Sequence, residues 1–239
     1  MSYTEEFGPA ESKINQSALV LGATGLVGSA LVTQLLGNDG YRLVRAITRR
    51  PMSRSAETLD NVVTDFDALA EQEAAFAVDH VFCCLGTTIK KAGSRPAFEK
   101  VDHDYVVEAA RLAADAGAGH FLLVTAVGAD ARSAFFYNRV KGRAEQAVMQ
   151  LPLRRWSIVR PSLLLGDRQE ARPLEQAGMA VGRMLSWTLR GPLQTYRPVE
   201  ATDVADTLVR LANDAPLVAP IEVRQSTASA APHPAGSVP

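Results

Sequence analysis

The chain has almost no cysteine: of its 239 residues only Cys83 and Cys84 are cysteines, and they are neighbours. An adjacent pair cannot build a disulfide framework, so a reducing compartment is expected. In a strand their side chains would point to opposite faces, which suits buried packing residues. A surplus of either charge is also missing. Lys and Arg number 25 against 26 Asp and Glu, for a net charge of -1, and no basic block stands out. This gives no electrostatic ground for nucleic acid or an anionic membrane as partner. His80, His103, His120 and His233 lack the spacing of metal ligands. No internal repeat is evident. The opening MSYTEEFGPAESKINQS lacks the basic and apolar parts of a secretory leader. A cytoplasmic protein is therefore expected.

What the chain does have is apolar content. Hydrophobic residues make up 47%, enough for a substantial core. The length fits one large α/β domain, with or without a small appendage. From Ser17 to Gly37 run 21 residues without a charge. Length alone would allow a membrane span. The content argues otherwise: Gly22, Gly25 and Gly28 are evenly spaced, and Thr24, Ser29, Thr33 and Gln34 break the apolar surface. A strand, a tight turn and a helix explain more of these residues. SALVL reads as a buried parallel strand, and GATGLVG as the turn that opens a helix. Gly22 permits the turn, Gly25 lets a pyrophosphate approach the backbone, and Gly28 lets helix and strand pack closely. Thr24, Leu26 and Val27 complete this candidate cofactor-binding segment, where free helix N–H groups meet phosphate.

Strand-like and helix-like segments then alternate. Strands are expected from Tyr41, from Asn61, over Asp79 to Gly86, over His120 to Gly128, and within RWSIVRPSLLLG. Helices are expected over DALAEQEAAF, about Phe98 to Asp115, about Tyr137 to Gln150, around Met179 to Leu189, and over Thr202 to Asp214 with a Thr N-cap. The alternation predicts a Rossmann-like α/β fold, a doubly wound parallel sheet with a small C-terminal substrate lobe. The expected division is a disordered extension at 1–16, a single NAD(P)-binding domain at 17–225 with an irregular lobe at about 166–200, and a disordered Pro/Ala/Ser-rich tail at 226–239.

Chemistry-bearing residues cluster at strand ends. YNRVK places Tyr137 and Lys141 four apart, on one helix face. A phenol titrates near ~10, and a neighbouring ammonium favours its phenolate, so the pair makes a proton donor and its tuner. An exposed Tyr and Lys show the same spacing by chance; the preceding strand and the glycine turn favour the catalytic reading. Thr125 and Ala126 close the fifth strand, at the carboxyl edge where ligands bind. The Thr125 hydroxyl is a candidate to orient a substrate carbonyl, or else a strand residue only. Arg49 and Arg50 lie about 20 residues past the glycine turn, where an acidic residue would mark NAD. Two arginines suit a 2′-phosphate instead, hence NADP(H); a solvated charge pair before Pro51 is the plainer alternative. Asp65 and Phe66 are candidates to flank an adenine. Leu85, Gly86 and Thr87 are candidates to line pyrophosphate and ribose.

These residues resemble a known family. The glycine turn with YNRVK is similar to the short-chain dehydrogenase/reductase superfamily, in its atypical branch. Within that branch the chain resembles the Tat-interacting-protein type of oxidoreductase. FCCLGTT, KAGS, FEKVDHDYV, VGAD, YNRVKGRAE and RPSLLLGDRQEARP carry the likeness, over about Ala18 to Ala212. The resemblance implies NADP(H) at Gly22–Gly28 and a catalytic Tyr137/Lys141 pair; the RPS stretch adds Arg160 and Pro161 to the cofactor-binding candidates. It also implies regulators that bind protein partners. The family usually carries Ser-Ser where this chain has Thr125-Ala126, so the active-site hydroxyl is left to Thr125. Two functions are therefore expected: an NADPH-dependent reductase of a small carbonyl, favoured by Tyr137/Lys141, or a cofactor-loaded regulatory protein, favoured by Ala126.

Overall fold

The computed structural model describes residues 15–165, 198–213 and 221–223. The apolar run at the start becomes β1 (Gln16–Leu21), a glycine turn and α1 (Leu26–Leu36). Alternation continues through β2 (Tyr41–Thr48), β3 (Leu59–Val63), a 3-10 stretch (Phe66–Phe76) and β4 (His80–Cys83). Two short helices follow, α2 (Ile89–Ala92) and α3 (Arg95–Glu99); a π-helical turn (Lys100–Asp104) joins α3 to α4 (Tyr105–Asp115). Then come β5 (His120–Val124), α5 (Phe136–Gln150), β6 (Trp156–Pro161) and β7 (Leu164–Leu165). The described chain ends with β8 (Val199–Glu200), α6 (Ala201–Asn213) and β9 (Ile221–Val223).

Seven strands form one parallel sheet in the order β3-β2-β1-β4-β5-β6-β9. β7 and β8 make a separate parallel pair. The sheet is doubly wound and Rossmann-like, as expected. Ala18 and Val20 face one core with α1 and α6, through Leu31, Leu35, Val204 and Leu208. Leu19 and Leu21 face the other core with the 3-10 stretch and α4, through Leu69, Val106 and Ala110. Residues alternate between faces along each strand, so both faces bury apolar side chains. Cys83 and Cys84 follow this rule: one belongs to each core. Burial raises the Cys83 thiol to about 12, which leaves it a packing residue.

Several boundaries differ from expectation. The three-residue β9 is too short to show alternation in sequence. The helix expected from Phe98 begins at Arg95, where Ser94 accepts from the Ala97 N–H and Pro96 fits the first turn. Thr202 does not cap α6: β8 runs straight into the helix at Ala201, so Thr202 lies within its first turn. Among the described residues no helix is long and apolar enough to cross a membrane. The tail, residues 1–14 of the expected N-terminal extension, His233, most of the expected substrate lobe and the helix expected around Met179 lie outside the described residues; Gln16, expected in that extension, already belongs to β1.

Candidate functional site

The order of winding reverses between β1 and β4, so their carboxyl ends frame a crevice. Gly22 leaves β1 at a φ of +77°, open to glycine at little cost. A Cβ there would stand 2.5 Å from the Cys84 carbonyl oxygen, and one on Gly28 would stand 2.2 Å from that of Gly22. Backbone is thus packed on backbone across the crevice. Gly25 occupies the N-cap of α1, exposed and without a side-chain cap. The first-turn N–H groups of Leu26, Val27 and Gly28 therefore have no capping side chain and no acceptor within the helix, which suits an anion. Thr24 is exposed beside them. The cradle fits a dinucleotide's phosphates.

On the β4 side, Leu85 is buried while Gly86 is exposed. A Cβ on Gly86 would lie 3.5 Å from the Lys141 ammonium, so the loop rests against that group. Lys141 is 4% exposed and pairs with Asp102 Oδ1 at 2.8 Å. Asp102 Oδ2 accepts the Thr87 backbone N–H at 2.9 Å. Burial opposes the Lys141 charge, but Asp102 and then Tyr137 outweigh it and hold the ammonium above its ordinary range. Burial pushes the Asp102 carboxyl up; Lys141 and the Thr87 N–H pull it back only in part. Tyr137 lies one turn before Lys141, half exposed, with its ring 5.5 Å from that of Phe98.

Other expected residues are used differently. Thr125 is 7% exposed, and its hydroxyl donates to Glu145 Oε1 at 2.5 Å. Arg160 Nε donates to the same oxygen at 2.9 Å, and its Nη2 reaches Glu145 Oε2. Thr125 is therefore corrected from a substrate-orienting group to part of a buried clamp, because its hydroxyl donates its hydrogen bond to a carboxylate. Arg160 closes that clamp, and Pro161 accepts the Val127 N–H at 2.9 Å, tying β6 to the loop after β5. Phe66 is also corrected: it is 7% exposed and packs on Tyr105, so its ring belongs to the core and not to an adenine pocket. Asp65 caps the 3-10 stretch by accepting the Asp67 N–H. Arg49 and Arg50 lie just past β2, exposed, with no ion pair among the described residues. No group of metal-ligating side chains occurs among the described residues.

Two residues escaped the sequence reading. Asp102 stands four after Phe98 and four before Val106, an acid on an apolar face. Glu145 stands four after Lys141, continuing the Tyr137 face. Each spacing was a usable signal.

A family model described as NAD(P)H-binding matches residues 22–215. The chain belongs to the NAD(P)H-binding family. This NAD(P)H-binding chain is similar to Protein HTATIP2 of Rattus norvegicus, 44% identical over 165 residues, 67% of this chain and 68% of the relative. It is also similar to Protein FMP52-1, mitochondrial, of Scheffersomyces stipitis, 33% identical over 222 residues, covering 88% and 97%. These relatives agree with the atypical short-chain dehydrogenase/reductase resemblance. Among solved structures, the Bordetella bronchiseptica enzyme WbmG in complex with NAD matches with a TM-score of 0.67 and 14% identity, over 88% of this chain and 73% of that one. MoeE5 in complex with UDP-glucose and NAD matches with a TM-score of 0.65 and 18% identity, over 87% and 76%. Both show the shared fold. The expected cytoplasmic location is overturned: the fungal relatives are named mitochondrial, and lack of a secretory leader does not speak to that compartment.

Proposed function

We propose that this chain is an NADP(H)-dependent reductase of a small carbonyl compound, with Tyr137 as the proton donor. The observation that carries it is the buried Lys141 ammonium, set against the Gly86 loop one helical turn from a solvent-facing Tyr137. The dinucleotide, when bound, supplies hydride to the carbonyl carbon. The chain's residues do the rest. The uncapped first turn of α1 holds the diphosphate. Arg49 and Arg50 hold the 2′-phosphate by charge-assisted bonds, which selects NADPH over NADH. Lys141 holds the nicotinamide ribose, and its positive charge stabilises the phenolate that Tyr137 leaves on giving its proton to the carbonyl oxygen. With a net charge of -1, neither nucleic acid nor a membrane surface is a proposed partner.

Two observations favour a second reading, a nucleotide-loaded regulatory protein. Ala126 offers no hydroxyl, and the Thr125 hydroxyl is given to Glu145. In that reading the partner is a protein that recognises the loaded form. The discriminating experiment follows NADPH consumption with a panel of aldehydes, ketones and quinones. Turnover above background supports the reductase. Tight NADPH binding with no turnover of any member supports the regulator.

A further inference from the structure

We infer that the substrate is an alkyl or aryl carbonyl compound, not a polyhydroxylated one, and that its apolar body covers Phe135, Ile89 and Leu163 beside Tyr137. The inference rests on the reductase reading above and narrows its substrate class. Among the described residues the exposed large apolar side chains are Val63, Ile89, Phe135, Tyr137, Met149 and Leu163. Of these, Met149 alone lies away from the carboxyl edge of the sheet, near the far end of α5. Val63 ends β3, Ile89 opens α2 after β4, Phe135 is the N-cap of α5, and Leu163 follows β6. β4 and β6 are the two neighbours of β5 in the sheet, so Ile89 and Leu163 flank the start of α5. Exposed apolar residues scattered singly are ordinary; gathered at one edge beside a proton donor they mark a ligand site.

Phe135 is 75% exposed and Leu163 64%, yet neither hangs from a free backbone. The Phe135 N–H donates to Ser133 Oγ at 3.2 Å, and its carbonyl accepts the Arg139 N–H at 3.0 Å. The Leu163 carbonyl accepts the Val199 N–H at 2.8 Å. Ile89 sits in a helix capped by the Thr88 hydroxyl. Of the three aromatic residues in FFY, Phe136 and Tyr137 pack on Phe98, with ring centroids 5.8 and 5.5 Å away. Phe135 is left facing water. The fold thus holds apolar groups in solvent at fixed places, and an apolar ligand covering them gains burial at little ordering cost. A polyhydroxylated carbonyl would lose water from its hydroxyls against these side chains and recover no hydrogen bond. Small-molecule sites are mostly apolar with a few orienting polar groups; here Tyr137 supplies the polar end. Continuity of the patch with Tyr137 selects a substrate over a second copy of the chain.

The test measures kcat/KM with NADPH for straight-chain aldehydes from propanal to octanal, and for glyceraldehyde, which matches pentanal in heavy atoms. The value should rise about two- to fourfold per methylene, the worth of burying part or all of a CH2 group, and pentanal should exceed glyceraldehyde by about tenfold or more. Phe135→Ser should flatten that rise, lowering octanal about tenfold more than propanal. Its NADPH affinity and Tm should hardly change, because the side chain already lies in water. Titration of the NADPH-loaded protein with butanamide and octanamide, which carry a carbonyl but accept no hydride, should give the same ranking without turnover. Turnover that ignores chain length, or an undiminished rise in Phe135→Ser, would overturn the inference and leave the reductase reading intact. A Tm lower by many degrees in the variant, or a dimer that becomes a monomer, would also overturn it, by showing that the chain itself or a second copy covers this face. If no aldehyde turns over while octanamide binds more tightly than butanamide, the reductase reading fails and the apolar site stands.

Discussion

Gly28 and Gly25 lie three residues apart in one turn, yet alanine should act at them in opposite ways. A Cβ on Gly28 would meet the Gly22 carbonyl oxygen at 2.2 Å, its carbon at 2.8 Å and the Ala23 Cα at 3.0 Å. All three are backbone, so no side chain can move aside. β1 and the start of α1 must separate, and overpacking of this kind costs about 3 kcal/mol. Better helix propensity returns less than ~1 kcal/mol of that. In a domain of this size Gly28→Ala should lower Tm by about 5–10 °C. Gly25 is different. Its Cβ would meet only the Gly22 oxygen at 3.3 Å, and the position is exposed. Gly25→Ala should change Tm by no more than a few degrees, while the methyl stands where phosphate meets the uncapped helix and weakens NADPH at least tenfold. Calorimetric melting and nucleotide titration of both variants make the comparison. An unchanged Tm for Gly28→Ala, or full NADPH affinity for Gly25→Ala, would refute the reasoning.

Replacing Arg49 and Arg50 by Ala should erase a roughly tenfold to hundredfold preference for NADPH over NADH, read by titration of both nucleotides; equal binding by the unmodified protein would contradict their role. Thr125→Val removes one bond to the Glu145 carboxylate and should cost about 1–3 kcal/mol in urea unfolding, with kcat/KM for any carbonyl substrate unchanged; a large loss of kcat/KM at unchanged stability would return Thr125 to the substrate. His120 is 2% exposed, its Nε2 within 2.9 Å of Ser157 Oγ, and burial, then Arg155, then His80 lower its pKa to about 3. The unfolded chain takes this proton near pH 6.5 and the folded form does not, so stability is whole above that pH and falls as pH drops towards 3. Between pH 6.5 and 5 the loss should be about 2 kcal/mol larger than in His120→Gln; parallel curves would show that the ring is not kept neutral by the fold.

The parts legible in sequence share a cause: local pattern. The charge-free run at Ser17 announced a strand, a glycine turn and a helix because each glycine answers to a nearby backbone contact. Tyr137 and Lys141 were legible because helical spacing puts them on one face. The use of Thr125 was not, because its hydroxyl is claimed by Glu145, 20 residues away, and only the packing of α5 on β5 and β6 brings them together. Phe66 failed for a similar reason: position after a strand suggested the ligand edge, while packing on Tyr105 across the 3-10 stretch took its ring into the core. Asp102 pairs with Lys141 from another helix, and no local rule reports such a partner.

The most direct test of the reductase reading is Tyr137→Phe, which removes one hydroxyl and keeps the ring packed on Phe98. NADPH oxidation with a substrate found in the carbonyl panel is measured for both proteins, beside NADPH affinity by titration. The account predicts turnover lower by ~10²–10⁴, the worth of a positioned general acid, with affinity for NADPH unchanged. Full turnover in the Phe variant would contradict it.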